Sequence, residues 1–212
     1  MSKEYKRLEE KEKIIEETTN EEIQITEKEF METLMEEVNN KTLNVIGAFD
    51  DDLVRYVKTF ANNVWFYEED ECRVIQVNIT SYGGQTDALF AIISILENLR
   101  ELWDCKFTGI INGYAMSCGA ILWLWCDNRY MNKYDECMIH QISYGWDGTL
   151  EDHERELRRT QIMQKKINNI ICEKTPLTEK ELKVFYRKGD VFLNRDDCLK
   201  LGLITLDEED DR

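Results

Sequence analysis

Along this chain, short apolar runs alternate with stretches whose apolar residues recur every three or four positions, the marks of strand and helix. Residues 43–46 read as a strand, with Gly47 as a turn. Asp50 can cap a helix whose core stripe is Leu53, Val57, Phe60, Ala61 and Val64. Residues 73–79 give a second strand, and a Gly83-Gly84 turn leads into an apolar helix over 86–102. Residues 107–112 form the next strand, followed by a short helix from Ser117 towards Trp125. Residues 130–131 and 137–140 supply further short strands. One long helix is predicted over 150–172, charged at its start and apolar later at Met163, Ile167 and Ile170, with Pro176 behind it as a breaker. Thr178-Glu179-Lys180-Glu181 is a capping box that opens a helix to about residue 188. This alternation predicts an α/β domain of mostly parallel strands covered by helices.

The N-terminal part follows a different pattern. Residues 1–25 are rich in Lys and Glu, with sparse apolar positions at Leu8, Ile14 and Ile15, and read as a frayed helix or mobile arm. Thr26-Glu27-Lys28-Glu29 has the form of a capping box, and Phe30, Leu34 and Val38 follow at helical spacing with Met31 and Met35 alongside. Such an amphipathic helix needs a surface to cover, in its own domain or on a neighbouring subunit. The chain therefore divides into an acidic arm with a short helix (1–40), one domain (41–206) and an acidic tail (207–212).

Composition narrows the function classes. A chain of 212 residues can bury a substantial single core. A formal net charge of −16 excludes non-specific nucleic-acid binding and a polybasic membrane surface, since both need Lys and Arg clusters. No apolar run reaches the ~18 residues of a membrane span, and the charged first twenty residues do not form a secretory signal. Seven cysteines with no Cys-x-x-Cys pair, and only two histidines, leave no zinc spacing, so neither a metal nor another cofactor is expected. The cysteines sit mostly in apolar runs, as buried thiols of a reducing cytoplasm do.

The candidate chemistry gathers at Gly113-Tyr114-Ala115-Met116-Ser117-Cys118-Gly119-Ala120. Here a hydroxyl lies between small residues where a strand gives way to a helix. Free backbone N–H groups and the positive end of the helix dipole stabilise an oxyanion at such a place. A plain helix cap is the other reading. A serine needs a base to take its proton, and His140 is the candidate; His153 falls on the charged face of the long helix. The base in turn needs a carboxylate, and composition cannot choose among so many acids. Gly83-Gly84 lacks the further glycines and the Lys-Ser/Thr of phosphate-binding loops.

The Ser117 stretch resembles the Gly-x-Ala-x-Ser-x-Gly-Ala nucleophile segment of the Clp protease proteolytic subunit family, the serine peptidases that form chambers for Clp ATPases. Ile79-Thr80-Ser81-Tyr82-Gly83-Gly84 is similar to its Ile-Asn-Ser-Pro-Gly-Gly loop, and Met138-Ile139-His140-Gln141 to its Met-Ile-His-Gln. Gly189-Asp190-Val191-Phe192-Leu193, followed by Leu201-Gly202-Leu203-Ile204, is similar to its Asp-x-Phe-Leu and closing segments. The resemblance covers roughly residues 43–205 and keeps the family's order. It implies a ClpP/crotonase-like α/β fold of repeated ββα units with a long handle helix. It assigns Ser117, His140 and Asp190 as the catalytic residues and the N–H groups of Gly84 and Cys118 as the oxyanion hole. The implied activity is endopeptidase cleavage of unfolded or small polypeptides inside a homo-oligomeric, seven-membered ring in the cytoplasm.

Several positions depart from the family. Tyr82 replaces the loop proline, and Cys118 the usual methionine. Lys188-Gly189 replace an acid–arginine pair that helps join two rings, and residues 147–160 lack much of the glycine-rich opening of the long helix, so a single ring is expected ahead of a double one. The family's aromatic docking positions for an AAA+ Clp ATPase partner fall on Gln76 and Asn78, so standard docking is expected to be weak or absent. Three alternatives stay open: a catalytically inactive ring subunit or scaffold, a viral head-maturation protease of the same fold, and an acyl-CoA enzyme of the related crotonase fold.

Overall fold

The computed structural model describes residues 28–67, 73–145 and 147–206. The expected arm over 1–25, the first half of the Thr26 capping box, Cys72 and the acidic tail lie outside the described residues. The elements run α1 (28–39), β1 (Thr42–Phe49), α2 (Asp51–Asn63), β2 (Val74–Gly84), α3 (Thr86–Trp103), β3 (Lys106–Met116), α4 (Cys118–Trp125), β4 (Asn128–Met131), β5 (Glu136–Ile139), α5 (Leu150–Lys174), α6 (Glu179–Arg187), β6 (Val191–Leu193) and α7 (Arg195–Lys200). One sheet has the order β1-β2-β3-β5-β6, with β4 also paired to β3. All pairings are parallel except β5–β6. This is the α/β architecture read from the pattern, with α5 as its long helix.

The sequence periods explain the layers. In β2, Ile75, Val77 and Ile79 are wholly buried, and Gln76 and Asn78 point to the other face, as strand parity requires. In α1, Leu34 and Val38 enter the domain's own core, whereas Phe30, which shares their spacing, stays half exposed with Met31 and Met35. Helix α4 is apolar on every side, and all eight of its residues are buried against β2, β3 and α5. Thr178 caps α6 with the expected reciprocal box, and Asp50 caps α2.

Three strands extend beyond their predicted ends. Gly47 is not a turn but a point inside β1, at φ +91, where the register to β2 shifts between Ile46 and Ala48. Glycine tolerates that backbone, and the bulge lets the strand continue. Gly83 and Gly84 likewise close β2 rather than forming a turn outside it, and β3 runs on to Met116. His140 lies just past β5, not within it.

Asp127 ties three elements together. Its carboxylate accepts from Arg100 of α3 (2.9 Å), the Phe107 N–H of β3 (3.0 Å) and Lys174 at the end of α5 (2.9 Å). Burial pushes its carboxyl up, but the Phe107 N–H, Lys174 and Arg100 outweigh burial and hold it below the usual range. A carboxyl depressed in the folded state adds stability above its unfolded value, about 3.9, and loses it as pH falls through the lower folded value. Asp127→Asn is expected to lower stability at pH 7 by about 1–3 kcal/mol. The gap should close in thermal melts below about pH 4; a gap independent of pH would contradict this account.

Among the described residues no helix is long and apolar enough to cross a membrane, and no cluster of three or more His, Cys, Asp or Glu could hold a metal ion.

Candidate active site

Ser117 stands between β3 and α4 at φ 54 and ψ −119, a backbone region that L-residues rarely adopt. Its N–H donates to the Met138 carbonyl of β5 at 2.9 Å, and its own carbonyl accepts the first helical bond, from Ile121. The serine is thereby fixed on both sides: to the strand that leads to His140, and to the helix whose first N–H groups have no helical acceptor. Small residues are required here. A Cβ on Gly83 would lie 2.7 Å from Ser117 Cβ, and one on Gly119 would press on Ser81 at 3.2 Å.

His140 Nε2 lies 2.7 Å from Ser117 Oγ. On the far side of the ring, Nδ1 lies 3.2 Å from Asp190 Oδ1. The antiparallel register of β5 and β6 explains that contact. Ile139 pairs with Val191, so the next residue along one strand meets the preceding residue of the other, His140 against Asp190. Gly189, at φ +82, turns the chain from α6 into β6. The histidine is largely enclosed, with 23% of its side chain exposed, whereas Asp190 is 58% exposed. The structure thus brings Ser117, His140 and Asp190 into one line. His153 lies on α5 and takes no part in it.

The glycine loop is held by a residue that the motif reading passed over. Ser81 is fully buried; its hydroxyl donates to the Gly47 carbonyl at 2.5 Å and accepts from the Gly83 N–H at 3.0 Å. Gln85 N–H donates to the Phe49 carbonyl of β1 at 2.7 Å. Gly84 and Cys118 line the cleft around Ser117. The Cys118 thiol donates to the Gly84 carbonyl at 3.3 Å, and burial pushes its pKa up, so it stays a neutral thiol.

The cleft has a volume of about 240 Å³. Ile121, Met138, Ile142 and Ile167 give it an apolar wall, and Tyr82 stands in its lining. Gln164 is a second residue that the motifs missed. It is nine-tenths buried and accepts from the Ile142 N–H at 2.8 Å, two residues past His140. Its amide donates to Asn168 (2.9 Å) and to Tyr186 (3.1 Å), and Tyr186 donates to Asn168 (2.7 Å). Burial raises the Tyr186 phenol to about 12, which keeps it a donor. This cluster links the segment after His140 to the helix that leads to Asp190. Its signal in the sequence is a glutamine on the apolar stripe it shares with Ile167 and Ile171.

A hydroxyl, an imidazole and a carboxylate in this order, with backbone N–H groups beside the hydroxyl, can carry out acyl transfer. The family model described as Clp protease matches residues 26–206, starting ahead of residue 43 and taking in α1. The chain is also similar to the ATP-dependent Clp protease proteolytic subunit 2 of Chlamydia trachomatis serovar D and to that of serovar A. Each is 28% identical over 146 residues, which are 68% of this chain and 70% of the relative.

Proposed function

This chain belongs to the Clp protease family, and on that premise we propose that it is a serine endopeptidase acting through Ser117, His140 and Asp190. The observation that carries the reading is the unbroken line from Ser117 Oγ through the His140 ring to Asp190. With the Asp190 carboxylate beside Nδ1 favouring the proton on that nitrogen, the Nε2 atom is left to accept the Ser117 proton. Ser117 attacks the scissile carbonyl, and His140 takes its proton. The Gly84 and Cys118 N–H groups stabilise the oxyanion, each worth roughly 10²–10³ in rate. His140 then protonates the leaving amine, and the acyl group stays on Ser117. Water, deprotonated by His140, attacks the ester and frees the acid product and the serine.

The substrates are unfolded or small polypeptides, whose backbones reach a nucleophile flanked by small residues. The protein works as a homo-oligomeric ring. Exposed Phe30, Met31 and Met35 on α1, and Leu150, Leu157 and Ile162 on α5, support self-assembly. Docking of a standard Clp ATPase is weak. Gln76 donates to Asn78, Asn78 to Asn44, and Asn44 to Glu37, so the outer sheet face presents amides where an apolar loop would lose water contacts without return.

The test runs on fractions of known native mass. A fluorophosphonate probe should label the wild type once per chain and leave Ser117→Ala unlabelled, and peptide hydrolysis should follow the ring fractions. No labelling in an assembled sample, or hydrolysis that survives Ser117→Ala, would sink the reading.

A further inference from the structure

Tyr82 is the most exposed large side chain in the cleft lining, at 69%, yet it is not loose. It stacks on Tyr114 of the neighbouring strand with ring centroids 4.2 Å apart and planes 26° from parallel. The two rings stand at the ends of β2 and β3, one two residues before Gly84 and the other three residues before Ser117. The loop does not need Tyr82 to hold it, because Ser81 already fixes Gly83 to β1. A held aromatic ring with a bare face, continuous with the cleft of the nucleophile, has the character of a binding surface: it binds another ring at little cost in side-chain entropy.

We propose that Tyr82, backed by Tyr114, is a substrate subsite for an aromatic side chain close to the scissile bond. The proposal rests on the peptidase reading and names part of its specificity. The subsite differs from the apolar wall of Ile121, Met138, Ile142 and Ile167, which accepts any apolar side chain by area alone. An aromatic pair is worth roughly 0.5–1.5 kcal/mol beyond its area, about a 2- to 10-fold preference.

Two measurements on the full-length protein test it. Peptides of one sequence, each carrying a single Phe or Ala near the cleaved bond, are compared for kcat/KM with wild type, Tyr82→Pro and Tyr82→Leu. The same peptides are then compared for binding to Ser117→Ala by fluorescence anisotropy, which needs no turnover. One position should favour Phe over Ala in both measurements, the ring pair adding about 2- to 10-fold to what area alone gives. Either Tyr82 substitution should lower the Phe-over-Ala ratio by about that 2- to 10-fold factor. If Tyr82→Pro slows Phe and Ala peptides equally, Tyr82 only supports the loop, and the proposal is wrong. Equal binding of Phe and Ala peptides also overturns it. A Phe preference in binding by a wild type that cleaves nothing would keep the subsite and overturn the peptidase reading.

Discussion

Ser117→Ala should lower peptide turnover by about 10⁶, with binding of the same peptides unchanged. In the proposed reaction the serine supplies the atom that forms the acyl bond, and water could not take its place between His140 Nε2 and a substrate carbonyl without losing that intermediate. If Ser117 and His140, joined at 2.7 Å, act as one unit as proposed, adding His140→Ala to Ser117→Ala should cost almost nothing further. The residue's backbone separates a third variant from these. At φ 54 and ψ −119, a Cβ is under strain that glycine does not feel. Ser117→Gly should therefore be as inactive as Ser117→Ala but about 1 kcal/mol more stable, and so melt at a higher temperature. Turnover with titrated active sites and thermal melts of the three variants check both halves. An alanine variant retaining even a hundredth of wild-type turnover would remove Ser117 from the chemistry.

The fold was legible where residues repeat. The parity of β2, the stripe of α2 and the capping box of α6 follow from local sequence, because burial on one face imposes a period. Misreadings cluster at glycine. Gly47 and the Gly83-Gly84 pair carry positive φ inside or at the end of strands, and a pattern of apolar residues cannot tell such a bulge from a turn. Helix α7 went unread because six residues hold too little period, and β6 because three residues hold none. The site was legible unevenly for the same reason. Ser117 announces itself by the small residues that its tight contacts require. Asp190 is one acid among 43 Asp and Glu, and its place opposite His140 comes from an antiparallel pairing between residues fifty positions apart. Only the motif around it, not its local pattern, singled it out. Ser81 and Gln164 support the site from polar positions inside apolar stripes, a signal present in the sequence to which the pattern of apolar residues assigned no role.

Asp190→Asn should reduce turnover by roughly 10²–10⁴, clearly less than loss of the serine. Two physical effects add. An asparagine amide can donate to His140 Nδ1, which then holds its proton on Nε2 and faces Ser117 as a donor, so the hydroxyl proton has no acceptor. The imidazolium formed during attack also loses its counter-charge. A fully enclosed aspartate in this role is worth about 10⁴. Asp190 is 58% exposed, so water screens its charge and competes with the new amide for Nδ1, which places the expected loss towards the lower end. Asp190→Ala should be milder than Asp190→Asn, since water can then accept from Nδ1–H and restore the productive tautomer. Both changes should act on kcat with KM nearly unchanged, because the carboxylate touches the imidazole and not the peptide. Exposure also means that neither should shift the melting temperature much. Turnover and melts of the two variants decide the matter: an asparagine variant within about threefold of wild type would mean that His140 is oriented by something other than Asp190.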